Sequence, residues 1–239
     1  MIRNFVFILI LGAGLWACSD VYTLSAEDKT TLVDSGIESN ASIDSIIAPY
    51  QNELSQTMDE VIAYAPEDFT KGRPNGTLND WAADAILYHE LRVSTDVQFS
   101  GPVICLLNVG GLRNPISKGD VTVGDIYKLM PFDNEIVWVE MPLDSQEDII
   151  KYLQASGGEP LSGAVLSKDK FIFENAKEFY NSFWVITSDY LMNGGDKMDF
   201  FEKKIRMKYG SGLMRDAMLN EAKFQDTLNV TDGDRIILE

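Results

Sequence analysis

Hydrophobic positions along the chain switch repeatedly between a helical and a strand period, and that switching sets the predicted elements. Ile43, Ile46, Ile47, Tyr50 and Leu54 recur every three or four residues, with Ser42 or Asp44 available as a cap, so a first amphipathic helix is predicted from residue 43 to about 55. Val61 to Ala65 reads as a short strand, and 68–76, with Lys71, Gly72, Arg73, Pro74 and Gly76, as a loop. Thr77 opens a second helix in which Leu78, Trp81, Ala82, Ala85, Ile86 and His89 fall on or near one face. Asp96 to Phe99 and Val103 to Leu107 are strand-like. Val121 to Met130 reads as a helix stopped by Pro131, whose ring cannot continue it. Glu135 to Leu143, with Ile136, Trp138 and Glu140 set against Val137, Val139 and Met141, reads as a strand, followed by a helix over 145–154 and a break at Gly157-Gly158-Glu159-Pro160. Short strands follow at 164–166, 171–173 and 183–187, then a helix over 213–224 and a terminal strand over 230–238. Helices and strands mix without a strict βαβ rhythm and without repeats, which favours an α+β domain.

Two strand exits stand out. Val103 to Leu107 empties into Asn108-Val109-Gly110-Gly111-Leu112-Arg113, and Phe183 to Thr187 runs into Ser188-Asp189-Tyr190-Leu191-Met192-Asn193-Gly194-Gly195-Asp196. Glycine pairs let a backbone turn tightly or approach a ligand, and Arg113 adds a permanent charge with a planar fork of donors. With Phe132 and Asn134 near the first exit, the residue types suit a planar ligand held between aromatic faces and read at its polar edges. Core rings and plain turn glycines are the bland alternative, because a lone glycine pair is a weak signal.

Composition narrows the chemistry. A formal net charge of −17 argues against a nucleic-acid surface, which is bound through clustered Lys and Arg. One histidine, His89, and two cysteines, Cys18 and Cys105, cannot assemble a His/Cys metal centre. His89, near the end of its helix, is read as a boundary histidine favoured by the helix dipole. Residues 1–17 pair a basic Arg3 with the apolar run Phe5 to Leu11 and end in Leu15-Trp16-Ala17 before Cys18, which resembles a bacterial lipoprotein signal. That resemblance implies an acylated Cys18, a membrane anchor and a place in the cell envelope. The polar stretch 18–42 then reads as a linker and 43–239 as the folded domain.

Four ordered motifs, Asn108-Val109-Gly110-Gly111-Leu112-Arg113, Gly119-Asp120-Val121-Thr122, Pro131-Phe132-Asp133-Asn134 and Tyr190 to Asp196, resemble the C-terminal, substrate-binding domain of the 5′-nucleotidase family. Leu78-Asn79-Asp80-Trp81-Ala82-Ala83-Asp84-Ala85 is similar to the helix that opens that domain. The resemblance implies a layered α/β/β/α fold and an aromatic clamp for the nucleobase. Carried over by position, Phe132 and Tyr190 would be the rings, Asn134 and Asp196 polar partners, Arg113 a nucleotide contact, Gly163 a close-approach glycine and Arg73 an upstream arginine. Asp133 departs from the family's glycine and puts an acid beside the clamp, and Tyr190 stands where Phe is usual. Family enzymes also carry a two-metal phosphoesterase domain, for which this sequence has no ligand set. The resemblance therefore implies a nucleotide- or nucleoside-binding half of a split 5′-nucleotidase, without cofactor of its own, whose divalent metals and metallophosphoesterase come from another chain. The alternative is a non-enzymatic envelope lipoprotein that binds nucleosides or a protein partner.

Overall fold

The computed structural model describes residues 40–94, 101–174, 180–230 and 233–238. In chain order the elements are helix α1 (Ala41–Met58), strand β1 (Val61–Ala65), helix α2 (Thr77–Val93), strands β2 (Val103–Leu106) and β3 (Gly119–Thr122), and helix α3 (Val123–Leu129). Strand β4 (Glu135–Pro142), helix α4 (Gln146–Ser156) and strands β5 (Leu161–Ser162), β6 (Ala164–Ser167), β7 (Lys170–Phe173) and β8 (Ser182–Ser188) come next. The short helix α5 (Asp189–Met192), strand β9 (Arg206–Leu213), helix α6 (Met214–Gln225) and strand β10 (Ile236–Ile237) complete the order. The compact unit spans Ile46–Glu239. The predicted signal, Cys18, nearly all of the predicted linker and the predicted strand 96–99 lie outside the described residues.

A five-stranded sheet in the order β5-β2-β8-β4-β9 organises the unit. Its centre, β8, is buried along its whole length, runs parallel to β2 and pairs antiparallel with β4 over seven residues from Ile136↔Ser188 to Pro142↔Ser182. Alternation along these strands feeds two cores, as a period of two requires. Cys105, Ile136, Trp138, Trp184 and Ile186 join Trp81, Ile86, Ile126 and Met218 from α2, α3 and α6 on one face. Ile104, Leu106, Val137, Val139, Phe183 and Val185 join Ile149 and Leu153 of α4 and the small β10-β6-β7 sheet on the other. The layered α+β arrangement is thus present.

Several elements differ from the sequence expectation. The helix expected from Val121 begins only at Val123, because 119–122 pair with β1 as β3; Thr122 then caps α3 by a reciprocal box with Asp125. Strand β9 was not expected at all, and the terminal strand shrinks to Ile236–Ile237, parallel to β6. Along α1 the apolar stripe expected to pack instead lies exposed, with no buried residue in the helix.

The C-terminal strand is fastened by polar contacts rather than by area. Asn75 Oδ1 accepts from Arg235 N at 3.1 Å and Ile236 N at 2.9 Å, and Asn75 Nδ2 donates to Ile236 O at 2.9 Å. Arg235 donates to Asp84 Oδ2 at 2.7 Å and Leu161 O at 2.9 Å, while Ser162 Oγ donates to Asp84 Oδ1 at 2.5 Å. Asp80 sits 3.9 Å from Arg235 and is only 7% exposed. Burial pushes its carboxyl up to about 6; Arg235 opposes this, and Asp84 and Asp234 add to it.

A carboxyl whose pKa is raised by folding binds more protons folded than unfolded, so its contribution favours the fold at low pH and is lost as pH climbs from about 4 to about 6. Asp80→Asn is therefore expected to stabilise the protein at pH 7 by on the order of 2 kcal/mol, with the gain vanishing below about pH 4. Urea denaturation of both forms across that range checks it, and a gain that does not depend on pH contradicts it.

Candidate functional site

The three central strands deliver three loops to one edge of the sheet. Parallel β2 and β8 end there, and β4, antiparallel to β8, begins there. The open edge beyond the carboxyl ends of parallel strands is where α/β architectures place ligands. The loops are 107–113, leading from β2, 130–134, leading into β4, and 189–197, leading from β8.

They enclose a cavity of about 370 Å³ lined by Asn108, Gly110, Gly111, Arg113, Phe132, Asn134, Tyr190 and Asp196. That size suits one small organic ligand. Both rings are open to it rather than buried in the core, Phe132 being 40% and Tyr190 48% exposed. Arg113 bends back so that Nη1 donates to Gly110 O at 3.3 Å, with its guanidinium carbon 6.0 Å from the centre of the Phe132 ring. One cation and two aromatic faces thus share a wall, a combination that attracts planar and anionic groups.

Asp196 ties the loops together. Its carboxylate accepts from Asn108 Nδ2 at 2.6 Å and Tyr190 Oη at 3.0 Å, and its carbonyl accepts from Tyr152 Oη at 3.1 Å. These contacts hold Asp196 at φ 51°, a left-handed conformation that only a few non-glycine residues adopt. Gly195 leaves no room for a side chain while Tyr190 holds this position, because a Cβ there would come to 2.5 Å from the Tyr190 ring. Tyr152 is pushed up to about 12, chiefly by burial and then by the nearby Glu159 and Asp196 carboxylates, with Arg73 opposing; its hydroxyl stays a donor throughout the physiological range.

Five of the seven residues expected at the site, Arg113, Phe132, Asn134, Tyr190 and Asp196, line this one cavity. Arg73 and Gly163 do not. Arg73 reaches Glu159 Oε1 at 2.8 Å and Ser156 O at 2.7 Å, and it also bonds Gly158 O, so its fork is committed to the 156–159 turn. Gly163 sits in the core between β5 and β6 at φ 80°, where a Cβ would meet Val103 O at 2.4 Å; it lets the chain cross from the large sheet to the small one. His89 is buried at 7% exposure, away from the cavity lining, and burial lowers its pKa.

Sequence reasoning named Gly158 and Glu159 only as a chain break. Glu159 is 3% exposed, and its Oε2 accepts from Val109 N at 2.7 Å, so a buried carboxylate fixes the glycine loop to which Arg113 belongs. No local signal marked it, because a glycine- and proline-rich turn is an ordinary place for a solvated acid. Among the described residues no group of three or more His, Cys, Asp or Glu is arranged to hold a metal ion.

The fold and site can be set beside known proteins. Residues 59–142 match the family model for the C-terminal domain of 5′-nucleotidase. Over 132 residues, 55% of this chain, the sequence is 29% identical to endonuclease YhcR of Bacillus subtilis, of which the match covers 10%; it is 22% identical over 142 residues to a 5′-nucleotidase of Vibrio cholerae, covering 59% of this chain and 24% of that protein. The crystal structure of a 5′-nucleotidase precursor from Thermus thermophilus superposes on 81% of this chain and 42% of its own, with a TM-score of 0.65 at 18% identity. Residues 59–142 are accordingly similar to a 5′-nucleotidase C-terminal domain, and the folded body shares its fold with the Thermus structure. It spans less than half the length of each of these proteins.

Removing the Glu159 carboxylate leaves Val109 N without its acceptor and Arg73 with only the Ser156 and Gly158 carbonyls. Glu159→Ala is expected to cost about 1–3 kcal/mol in urea denaturation and to raise hydrogen exchange across 108–112. Unchanged exchange in that segment would remove Glu159 from the loop's support.

Proposed function

We propose that this domain binds a nucleotide or nucleoside by stacking its base between Phe132 and Tyr190, as the substrate-binding half of a 5′-nucleotidase. The observation that carries the reading is the meeting of two half-exposed rings, one arginine and the Asn134 and Asp196 side chains in one cavity at the end of the parallel strands. A base offers two π faces and polar edges, and a phosphate or ribose offers groups that suit Arg113 and the Asp196 carboxylate. Similarity to proteins named 5′-nucleotidase supports the same substrate class.

In this reading hydrolysis needs a metal centre that the described residues do not supply. Two-metal phosphate-ester cleavage requires several metal ligands to generate hydroxide and neutralise developing charge. The sequence holds a single histidine, and no described cluster fits such a centre. The divalent metals and the hydrolytic step belong to a metallophosphoesterase outside this sequence, in a separate chain, and the domain's part is to position substrate for it. The signal-like residues 1–17 and Cys18 support an envelope protein anchored by lipid. No described helix is long and apolar enough to cross a membrane.

Two stacking contacts at about 1–3 kcal/mol each correspond to dissociation constants from tens of millimolar, about 30 mM, to tens of micromolar, about 40 μM. Calorimetry with adenosine and AMP should find binding in that range, weakened about five- to a hundredfold by Phe132→Ala or Tyr190→Ala. Absence of binding, or indifference to both substitutions, would sink the proposal. In a separate assay the chain with Mn²⁺ should leave AMP intact until a metallophosphoesterase is added, and unaided hydrolysis would refute the division of labour.

A further inference from the structure

The loop that carries Phe132 is held from below by one buried cation. Arg215, in the first turn of α6, is 8% exposed, and its Nη2 bonds Asp133 Oδ1 at 2.6 Å. Its Nη1 reaches the carbonyls of Met130 and Phe132, each at 3.4 Å, and its guanidinium carbon lies 4.4 Å from the centre of the Tyr127 ring. Next to it, Met214 N donates to Asn134 O at 3.0 Å, so the start of α6 grips both ends of the 130–134 turn. Nε of Arg215 has no partner, which a buried guanidinium tolerates only when its other contacts outweigh the loss.

Asp133 lies between two cavity residues, Phe132 and Asn134, and its side chain is 78% exposed. In a protein of net charge −17, a further unpaired carboxylate beside the cavity would repel a phosphate. Arg215 engages that carboxylate and the Phe132 carbonyl with one planar fork, a task suited to Arg and not to Lys. We propose that Arg215 and Asp133 form a positioning pair that fixes the Phe132 ring and masks the acid beside the cavity, so that the site accepts a phosphate-bearing ligand alongside a neutral nucleoside. The proposal rests on the nucleotide reading above.

The experiment uses the full chain, with adenosine and AMP as probes at low ionic strength, together with hydrogen exchange of the ligand-free protein. Arg215→Met is expected to weaken both ligands, and AMP about two- to fivefold more than adenosine. Adding Asp133→Asn to that variant should return the AMP-to-adenosine ratio to the wild-type value without restoring affinity. Asp133→Asn alone, an exposed change that keeps Arg215, should move the ratio the opposite way, toward AMP. All three ratio changes should shrink in about 0.5 M salt. In the exchange arm Arg215→Met should deprotect 130–134 while β8 stays protected, with Arg215→Lys intermediate. Equal losses for both ligands, with no effect of Asp133→Asn on the ratio, would overturn the masking role. Unchanged exchange at 130–134 would overturn the positioning role. Should Arg215→Met fail to fold, Asp133→Asn and Arg215→Lys decide the same two points. A wild-type chain that binds neither probe overturns the nucleotide reading and the masking role with it, while exchange still decides the positioning role.

Discussion

The pairing of β8 between β2 and β4 is the constraint on which the site depends. Seven residues of β4 pair with β8, and β8 runs alongside β2, so three loops far apart in sequence leave the sheet at one edge. Each strand is buried on both faces, and a slip of one residue would exchange its two core faces. Register is therefore held by packing, and with it the positions of Arg113, Phe132 and Tyr190. The loops add little regular structure of their own. Their shape comes from a few buried or bridging polar groups: Glu159 under the first, Arg215 under the second, Asp196 across the first and third.

How much of this was legible in the sequence follows from range. The start of helix α2 and both ends of strand β4 were readable within a residue or two, because each is an apolar run bounded by polar or turn-forming residues. Phe132, Tyr190, Arg113, Asn134 and Asp196 were readable because each sits in a motif that stays contiguous along the chain. Strand β9 was not, since Gly210 and Gly212 cut short the alternation of Arg206, Met207, Lys208 and Tyr209, and its strand character comes from β4 about seventy residues away. The starting point of α3 was misread because Val121 faces the core from a strand, as it could have done from a helix. Glu159 and Arg215 were invisible for the same reason as β9: their partners lie 50 and 82 residues away. Arg73, carried over by position alone, lies outside the cavity lining, with its fork closing on Glu159 and the neighbouring carbonyls.

The electrostatics resolve a tension in the composition. A chain of net charge −17 is a poor host for an anion unless local cations dominate its site. Here the one arginine of the cavity wall stands beside an aromatic face, and Asp133, the acid next to Phe132, is engaged by a second arginine. The remaining carboxylate of the cavity, Asp196, already accepts from Asn108 and Tyr190, which orients it as an acceptor for hydroxyl groups rather than leaving a bare charge. This division suits a ligand with an apolar plane, a polyhydroxy middle and an anionic end.

The most direct test of the central claim is the proton spectrum of adenosine titrated with the protein. A base held between Phe132 and Tyr190 feels the ring currents of both, so its H2 and H8 resonances should move upfield together on binding, and the shift should fall when either ring is removed. Ring protons that stay at their free positions while the ligand is bound would place the base elsewhere and contradict the account.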